Sequence, residues 1–535
     1  METIDVSGAS GCCLGGKACR ACKEISDLDR KIEQLLGTLQ QLVRERCDLK
    51  TKRNYRHDPL VRNLPLELLS RIFVFCQPDP PMEGSSALYF PLLVHSLQSR
   101  PNLTPITLGS VCRRWREIVQ ATPRLWTFIS INIGRHDMQT YTPFIDTWLS
   151  RSGRLPLTIA IFESKGSEPD EGFLEADEDT DPSGLIKVVN TLSSRWECLD
   201  VSISTSVVLK QLQCDLSGAP GLESLRIRTF PNDDSTDYPT FNEGIPFMPS
   251  PRNVFLSSMR PDSVFIRWNL VKCVNINHVN PAELLMIFAD AANISHVHIR
   301  SLTRDRDLPL HPVVHRALRM LKFVTSQNID DILNNLTVPS LQSLHVRAFS
   351  PSLTSMIARS KPPLTDMTIR SNIVWDEALQ LFKHTPFLSE LHLINIAVVP
   401  RKFFRRLADT STISPSLDGR YLPALSSLRI LTIQNSFVWQ DIVDAFGPNP
   451  LNAAATRRPL TAFLLHMPRT KAINVPDSGP DEVSLLNAVA LRQLRILRAG
   501  GISVSIVDAG GRDLLAENGN GMDSARDEDE GCEEA

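Results

Sequence analysis

The sequence lacks any run of about 18 apolar residues, the length a membrane-spanning helix needs, so no membrane segment is read from it. It also lacks an excess of either charge: 57 Lys and Arg face 60 Asp and Glu across 535 residues, a net of −3. With no surplus of positive charge to neutralise phosphates, nucleic acid is not an expected partner. Residues 1–10 carry neither a basic n-region nor an apolar h-region, so no secretory leader is read and the cytosol or nucleus is the expected compartment. In that reducing setting the 11 cysteines read as free thiols rather than a disulfide framework.

Catalytic signatures are missing as well. There is no G-x-S-x-G elbow, no H-E-x-x-H, and no Cys/His or paired-carboxylate constellation, and the 12 histidines are scattered. His296 and His298 fall in a strand-like unit, where core or surface roles outweigh ligation. Gly11–Lys17 has the G-x4-G-K spacing of a phosphate-binding loop, but Ala18 stands where Ser or Thr would hold Mg²⁺, and no strand precedes it. Cys19-x2-Cys22 is half of a zinc site. With Cys12 and Cys13 nearby, the four thiols read either as a tetrahedral zinc site or as free groups. No second C-x2-C completes the pattern, and adjacent cysteines direct two sulfurs to one ion poorly. No catalytic residue, cofactor site or metal ligand is assigned, and the chain reads as a non-enzyme.

What is present is organisation. At 42% hydrophobic and 22% charged the chain is globular, and its length suits more than one domain or one domain with a repeat array. Residues 1–24 are Gly/Cys-rich and read as a flexible start. Over 25–56 a heptad follows: Ile25, Leu28, Ile32, Leu35, Leu39, Leu42 and Leu49 recur at alternating three- and four-residue steps, broken only at Arg46. Ser26 and Asp29 have capping-box spacing, and a continuous helix from about Asp27 to Asp48 is expected. Leu36 and Val43 widen its apolar stripe. Three readings stay open: a homodimer through 25–49, packing on the rest of the chain, or a solvated arm. His57-Asp58-Pro59 ends the helix.

Residues 60–126 read as a helical module. A helix starts near Asn63 with Pro65 in its first turn, and Leu68, Leu69, Ile72, Phe73 and Cys76 are its expected buried stripe. Residues 77–105, with six prolines, read as a loop. Leu108, Val111, Cys112, Trp115, Ile118 and Val119 then recur with helical spacing. Thr122-Pro123 opens a short turn, and Phe128–Ile133 alternates as a strand does.

Over 127–508 the pattern becomes a repeat. Apolar-x-x-apolar-x-apolar units begin at Val271, Ile294, Leu318, Leu341, Leu364 and Leu388, separated by 23, 24, 23, 23 and 24 residues. Weaker units lie at Trp196/Leu199/Val201 and Leu222/Leu225/Ile227. Less regular ones follow at Leu428/Leu431/Ile433, Leu460/Phe463/Leu465 and Leu491/Leu494/Ile496. Helical stretches such as Trp375–Lys383 fall between units. One strand and one helix per repeat is a leucine-rich-repeat-like solenoid with a parallel sheet. The expected fold is therefore α/β: a coiled-coil helix and a three-helix module, then the solenoid. Two acidic segments interrupt it, 168–181 with eight Asp/Glu and a tail over 509–535 expected to be disordered; both read as solvated charge or as an electrostatic docking patch.

The run Leu64-Pro65-Leu66-Glu67-Leu68-Leu69…Ile72-Phe73, followed by Leu108…Val111-Cys112-Arg113-Arg114-Trp115-Arg116-Glu117-Ile118 and Thr122-Pro123-Arg124-Leu125-Trp126, resembles an F-box, in particular the F-box proteins abundant in mushroom-forming fungi. The junction Asn54-Tyr55-Arg56-His57-Asp58-Pro59 is similar too. The resemblance is specific over 25–135 and generic beyond. It implies a module that docks on the Skp-family adaptor of a cullin-type (SCF) ubiquitin ligase, with the repeats holding an unknown target. It would place Leu64, Pro65, Leu68 and Leu69 at the adaptor, with Ile72 of the same stripe. Val111, Cys112 and Trp115 would brace the helices and lend some surface. Each of these residues has a plain core role as its alternative. The 29-residue insert departs from the compact F-box, at a closure cost that grows slowly with length.

Overall fold

The structure, a computed structural model, describes residues 20–57, 64–77, 103–133, 138–163, 181–204, 206–215, 218–230, 239–303, 309–371, 373–409, 421–436, 439–446, 448–449, 452–456, 460–466, 488–507, 513 and 515. The Gly11–Lys17 loop, Cys12, Cys13, Cys19, most of the 77–105 insert, the acidic run up to residue 180 and nearly all of the tail lie outside the described residues, as does the Cys22 side chain. Two compact units divide the chain: residues 1–131 with 139–158, and residues 132–138 with 159–535.

The first unit opens with α1 (Arg20–His57), 38 residues and so about 57 Å long. It begins before the expected start: Ser26 sits inside the helix and caps nothing. Good helix formers extend the N-terminal end, and an Arg20–Glu24 ion pair at 3.0 Å spans its first turn. Its described residues run to His57, and the Asp58-Pro59 stop read from the sequence lies outside the described residues.

α2 (Leu66–Phe75) starts after Pro65, whose carbonyl accepts from the Leu68 and Leu69 amides at 3.1 Å. The single helix expected over Leu108–Val119 is two, α3 (Thr104–Val111) and α4 (Arg113–Gln120). Cys112 breaks them with an extended backbone (φ −158°, ψ 169°), and its sulfur accepts from the Trp115 amide at 3.4 Å, capping α4. Leu69 and Phe73 of α2, Ile118 and Val119 of α4, and Leu125 and Trp126 of the following turn are buried. The Trp126 indole donates to the Val119 carbonyl at 2.9 Å, so this large side chain is buried with its one polar atom satisfied.

The second unit is built on one large sheet. Twelve of its fourteen strands, β1 (Trp196–Ile203), β2 (Ser224–Thr229), β3 (Asn253–Ser257), β4 (Cys273–Val279), β5 (His296–Leu302), β6 (Met320–Phe323), β7 (Ser343–Val346), β8 (Asp366–Ile369), β9 (Glu390–Pro400), β10 (Ser427–Ser436), β11 (Ala462–His466) and β12 (Ser503–Val507), carry the repeat. They lie in sequence order, each parallel to the next. Parallel neighbours need crossovers, and helices supply many of them, such as Pro281–Asp290, Pro351–Ser360 and Trp375–Leu381. The 23–24-residue period places equivalent residues in register: Val274, Val297, Leu321, Leu344, Met367 and Leu391 form one buried row across six strands.

Three details differ from the sequence reading. The unit read at Leu428/Leu431/Ile433 is three residues out of frame: register sets Leu428 and Ile430 beside Leu391 and Leu393, with Leu425 leading. β3 was not expected, because Val254-x-Leu256 lacks the leading apolar residue of the repeat. Conversely, Leu491/Leu494/Ile496 is no strand unit: Ala488–Ala499 is a helix burying Leu494 and Leu497, and the strand comes after it with Val504 and Ile506 inward. Among the described residues no helix is long and apolar enough to cross a membrane.

Candidate protein-binding surfaces

Each unit presents one surface whose chemistry exceeds what folding requires. In the first unit it lies on α2. A helix has one buried face when it rests on one neighbour, and α2 spends that face on Leu69 and Phe73. The Phe73 ring meets Trp115 of α4 at 4.7 Å between centroids, tilted 51°. Pro65, Leu68, Ile72 and Phe75, at steps of three, four and three, line another face and are exposed, Leu68 and Ile72 at 45% and Phe75 at 83%. Exposing this much apolar surface costs solubility without any gain in the fold, which is why such stripes mark interfaces.

The eight residues expected at a partner contact therefore separate. Pro65, Leu68, Ile72 and Val111 are exposed; Leu64, Cys112 and Trp115 are half-buried. Leu69, at 2% exposure, is core and has no surface to offer a partner; its adjacency to Leu68 turns it to the opposite side of the helix. Leu68, Ile72 and Cys76 likewise do not belong to the buried stripe in which the sequence reading put them. Phe75, the most exposed aromatic among the described residues of this unit, was missed. Its signal was the three-residue step from Ile72. Beside the stripe, Leu66, Glu67 and Ser70 of α2 and Arg114, Glu117 and Ile118 of α4 help line an open groove of about 750 Å³.

In the second unit the candidate surface is the sheet face opposite the apolar rows. Successive strand residues point to opposite faces, so the residue between each inward pair faces outward. Strand register brings Asn275, His298, Lys322, His345, Thr368, His392 and Arg429 into one row from β4 to β10, in which Lys322 and Thr368 are themselves buried between their neighbours. Arg300, Arg347 and Arg370, two positions on, share that face and are exposed. Arg300, Lys322, Arg347, Arg370 and Arg429 make no ion pair among the described residues. Asp366 is engaged instead by the Ser343 hydroxyl at 2.6 Å and His345 Nε2 at 3.1 Å. Burial pushes the Asp366 carboxyl up, but these hydrogen bonds outweigh it and hold it below the usual carboxylate range.

The cations act on one another. Burial, then the Lys322, His345, Arg300 and Arg370 charges, push the His298 imidazole down to about 4, so it is neutral at physiological pH. Both its ring nitrogens are buried without a hydrogen-bond partner. Burial and the Arg370 charge lower Lys322, and burial lowers His392. A face that raises the cost of its own positive charges stores an attraction for anions. Sequence reasoning missed this row, although a signal existed: His298, His345 and His392 are spaced by two repeats each. No group of three His, Cys, Asp or Glu able to hold a metal ion occurs among the described residues.

No protein-family model matches this chain, and no curated protein is similar to it.

Proposed function

We propose that this protein is a substrate receptor of an SCF-type ubiquitin ligase, its first unit docking on a Skp-family adaptor and its repeats, a leucine-rich-repeat-like solenoid, holding a target protein. The observation that carries the reading is the outward stripe of α2, with Pro65, Leu68, Ile72 and Phe75 exposed on a helix whose core face is already filled. It coincides with the stretch that resembles an F-box. No catalytic residue is needed. A receptor raises the effective concentration of its target beside the ligase, and tethering alone gives large gains in encounter. The exposed Arg300, Arg347, Arg370 and Arg429 on the outward sheet face, without ion pairs among the described residues, suit a target segment rich in negative charge.

Reconstitution tests the proposal. Full-length chain mixed with adaptor and cullin is expected to elute as one complex. Failure to enter it would leave the second reading, a repeat scaffold or coiled-coil dimer with no ubiquitin role, which the exposed heptad stripe of α1 favours.

A further inference from the structure

Every described side chain of α1 is exposed except that of Asp29, which is half-buried. The heptad seam is among the exposed ones: Ile25, Ile32 and Leu39 at its a positions, Leu28, Leu35, Leu42 and Leu49 at its d positions, each 46% exposed or more. An isolated helix in water draws little stability from its own hydrogen bonds and most from packing an apolar face. This one, 38 residues long, has its face uncovered. Leu42, Arg46 and Leu49 of the seam line one shallow groove, with Glu45 and Lys50 on its flanks. The structure thus sets the flanking g residues, Glu24, Lys31, Thr38, Glu45 and Lys52, beside the apolar seam.

Ile25 and Ile32 at a with Leu at d is the core composition that favours two strands in parallel coiled coils. Charge decides their orientation. In a parallel pair equal residues meet, so Arg46 would face Arg46 and Arg53 would face Arg53 in the core layers, and the repulsion of Glu24 by Asp29 would offset the one attractive flank pair, Glu45 with Lys50. An antiparallel pair centred on Gly37 sets Arg46 against Leu28 and Leu49 against Ile25 of the second copy. Its flanks join g to g: Lys31 meets Glu45 and Glu24 meets Lys52, each twice by symmetry. Sliding by one heptad in either direction brings Lys31 to Lys52 or Glu24 to Glu45, both repulsive. Of these alignments, only the one centred on Gly37 satisfies every charged g residue, and it sets each Arg46 against a leucine rather than against a second arginine. It also lays the basic C-terminal part of the helix, from Arg44 to Arg56, along the less basic part that holds Glu24, Asp27 and Asp29.

We propose that α1 pairs with a second copy of this chain as an antiparallel two-helix coiled coil, in the register that joins Lys31 to Glu45 and Glu24 to Lys52. This does not rest on the adaptor reading.

Two full-length variants test it. One makes the g row acidic (Lys31→Glu with Lys52→Glu), the other makes it basic (Glu24→Lys with Glu45→Lys). All four sites are exposed, and far-UV circular dichroism checks that each variant keeps its fold. Mass is read by light scattering or sedimentation. The unmodified chain is expected near twice its 59.8 kDa. Each variant alone is expected to dissociate at least about tenfold more readily, because four attractive flank pairs become repulsive. An equal mixture of the two is expected to restore the dimer. A monomeric unmodified chain would overturn the proposal, meaning that the seam is covered from within or solvated. So would an acidic variant that stays dimeric by itself, since a parallel pair leaves those positions facing Leu36 and His57. Failure of the mixture to re-associate would equally refute it.

Discussion

Phe73 of α2 and Trp115 of α4 meet ring to ring at 4.7 Å, and this contact ties the two halves of the helical module across a gap of about forty residues in sequence. Phe73 is fully buried, whereas Trp115 keeps part of its surface in solvent. The two truncations should therefore differ. Phe73→Ala is expected to cost about 3–5 kcal/mol and Trp115→Ala about 2–3 kcal/mol, the smaller value reflecting its partial exposure. A double-mutant cycle by denaturant unfolding should return a coupling of about 0.5–1.5 kcal/mol from the tilted ring pair.

Adjacent leucines on α2 should behave oppositely. Leu69→Ala removes a core side chain and is expected to cost about 2–5 kcal/mol. Leu68→Ala removes an exposed one and should stay within about 0.5 kcal/mol of the unmodified protein. Equal losses at both positions would mean that Leu68 is covered in solution.

In the sheet, Leu391 lies fully buried between Met367 and Leu428 in the inward row. Leu391→Ala is expected to cost about 2–5 kcal/mol in chemical denaturation. His392, next to it in sequence, faces outward, and His392→Ala should cost much less.

Acid should weaken the second unit through His298. Its imidazole titrates near 6.5 when unfolded and near 4 when folded, so the unfolded chain binds the proton first. Stability from this group is whole above pH 6.5 and is lost as pH falls towards 4, by at most about 3 kcal/mol. His296, His315 and His392 are lowered by burial and act with the same sign. Thermal unfolding at pH 7 and pH 5 checks this: His298→Leu should lose less of its Tm between the two than the unmodified protein does. An equal loss would assign the acid sensitivity elsewhere.

The repeat was legible because its period is a backbone property. Residues 23 or 24 apart must stack once each unit is one strand and one return, and Leu321, Leu344 and Met367 do so. Where a unit lost one of its three apolar positions, as at Val254 and Leu256, the pattern fell silent although the strand remained. The exposed stripe of α2 was half legible. Four apolar residues in seven mark a surplus, but Leu68 and Leu69 are chemically equal, and only the placement of α4 decides which is core. The cationic row was hidden for another reason: its members are spread from residue 298 to residue 429, and each looks unremarkable until strand register lays them side by side.

The most direct test of the account is the affinity of the full-length chain for a Skp-family adaptor, measured by titration calorimetry beside the Leu68→Ala, Ile72→Ala, Phe75→Ala variant. Saturable binding by the unmodified chain is expected, weakened at least about thirtyfold in a variant of unchanged thermal stability, since central apolar anchors cost about 2 kcal/mol or more on truncation. No binding by the unmodified chain, or equal binding by the folded variant, would contradict it.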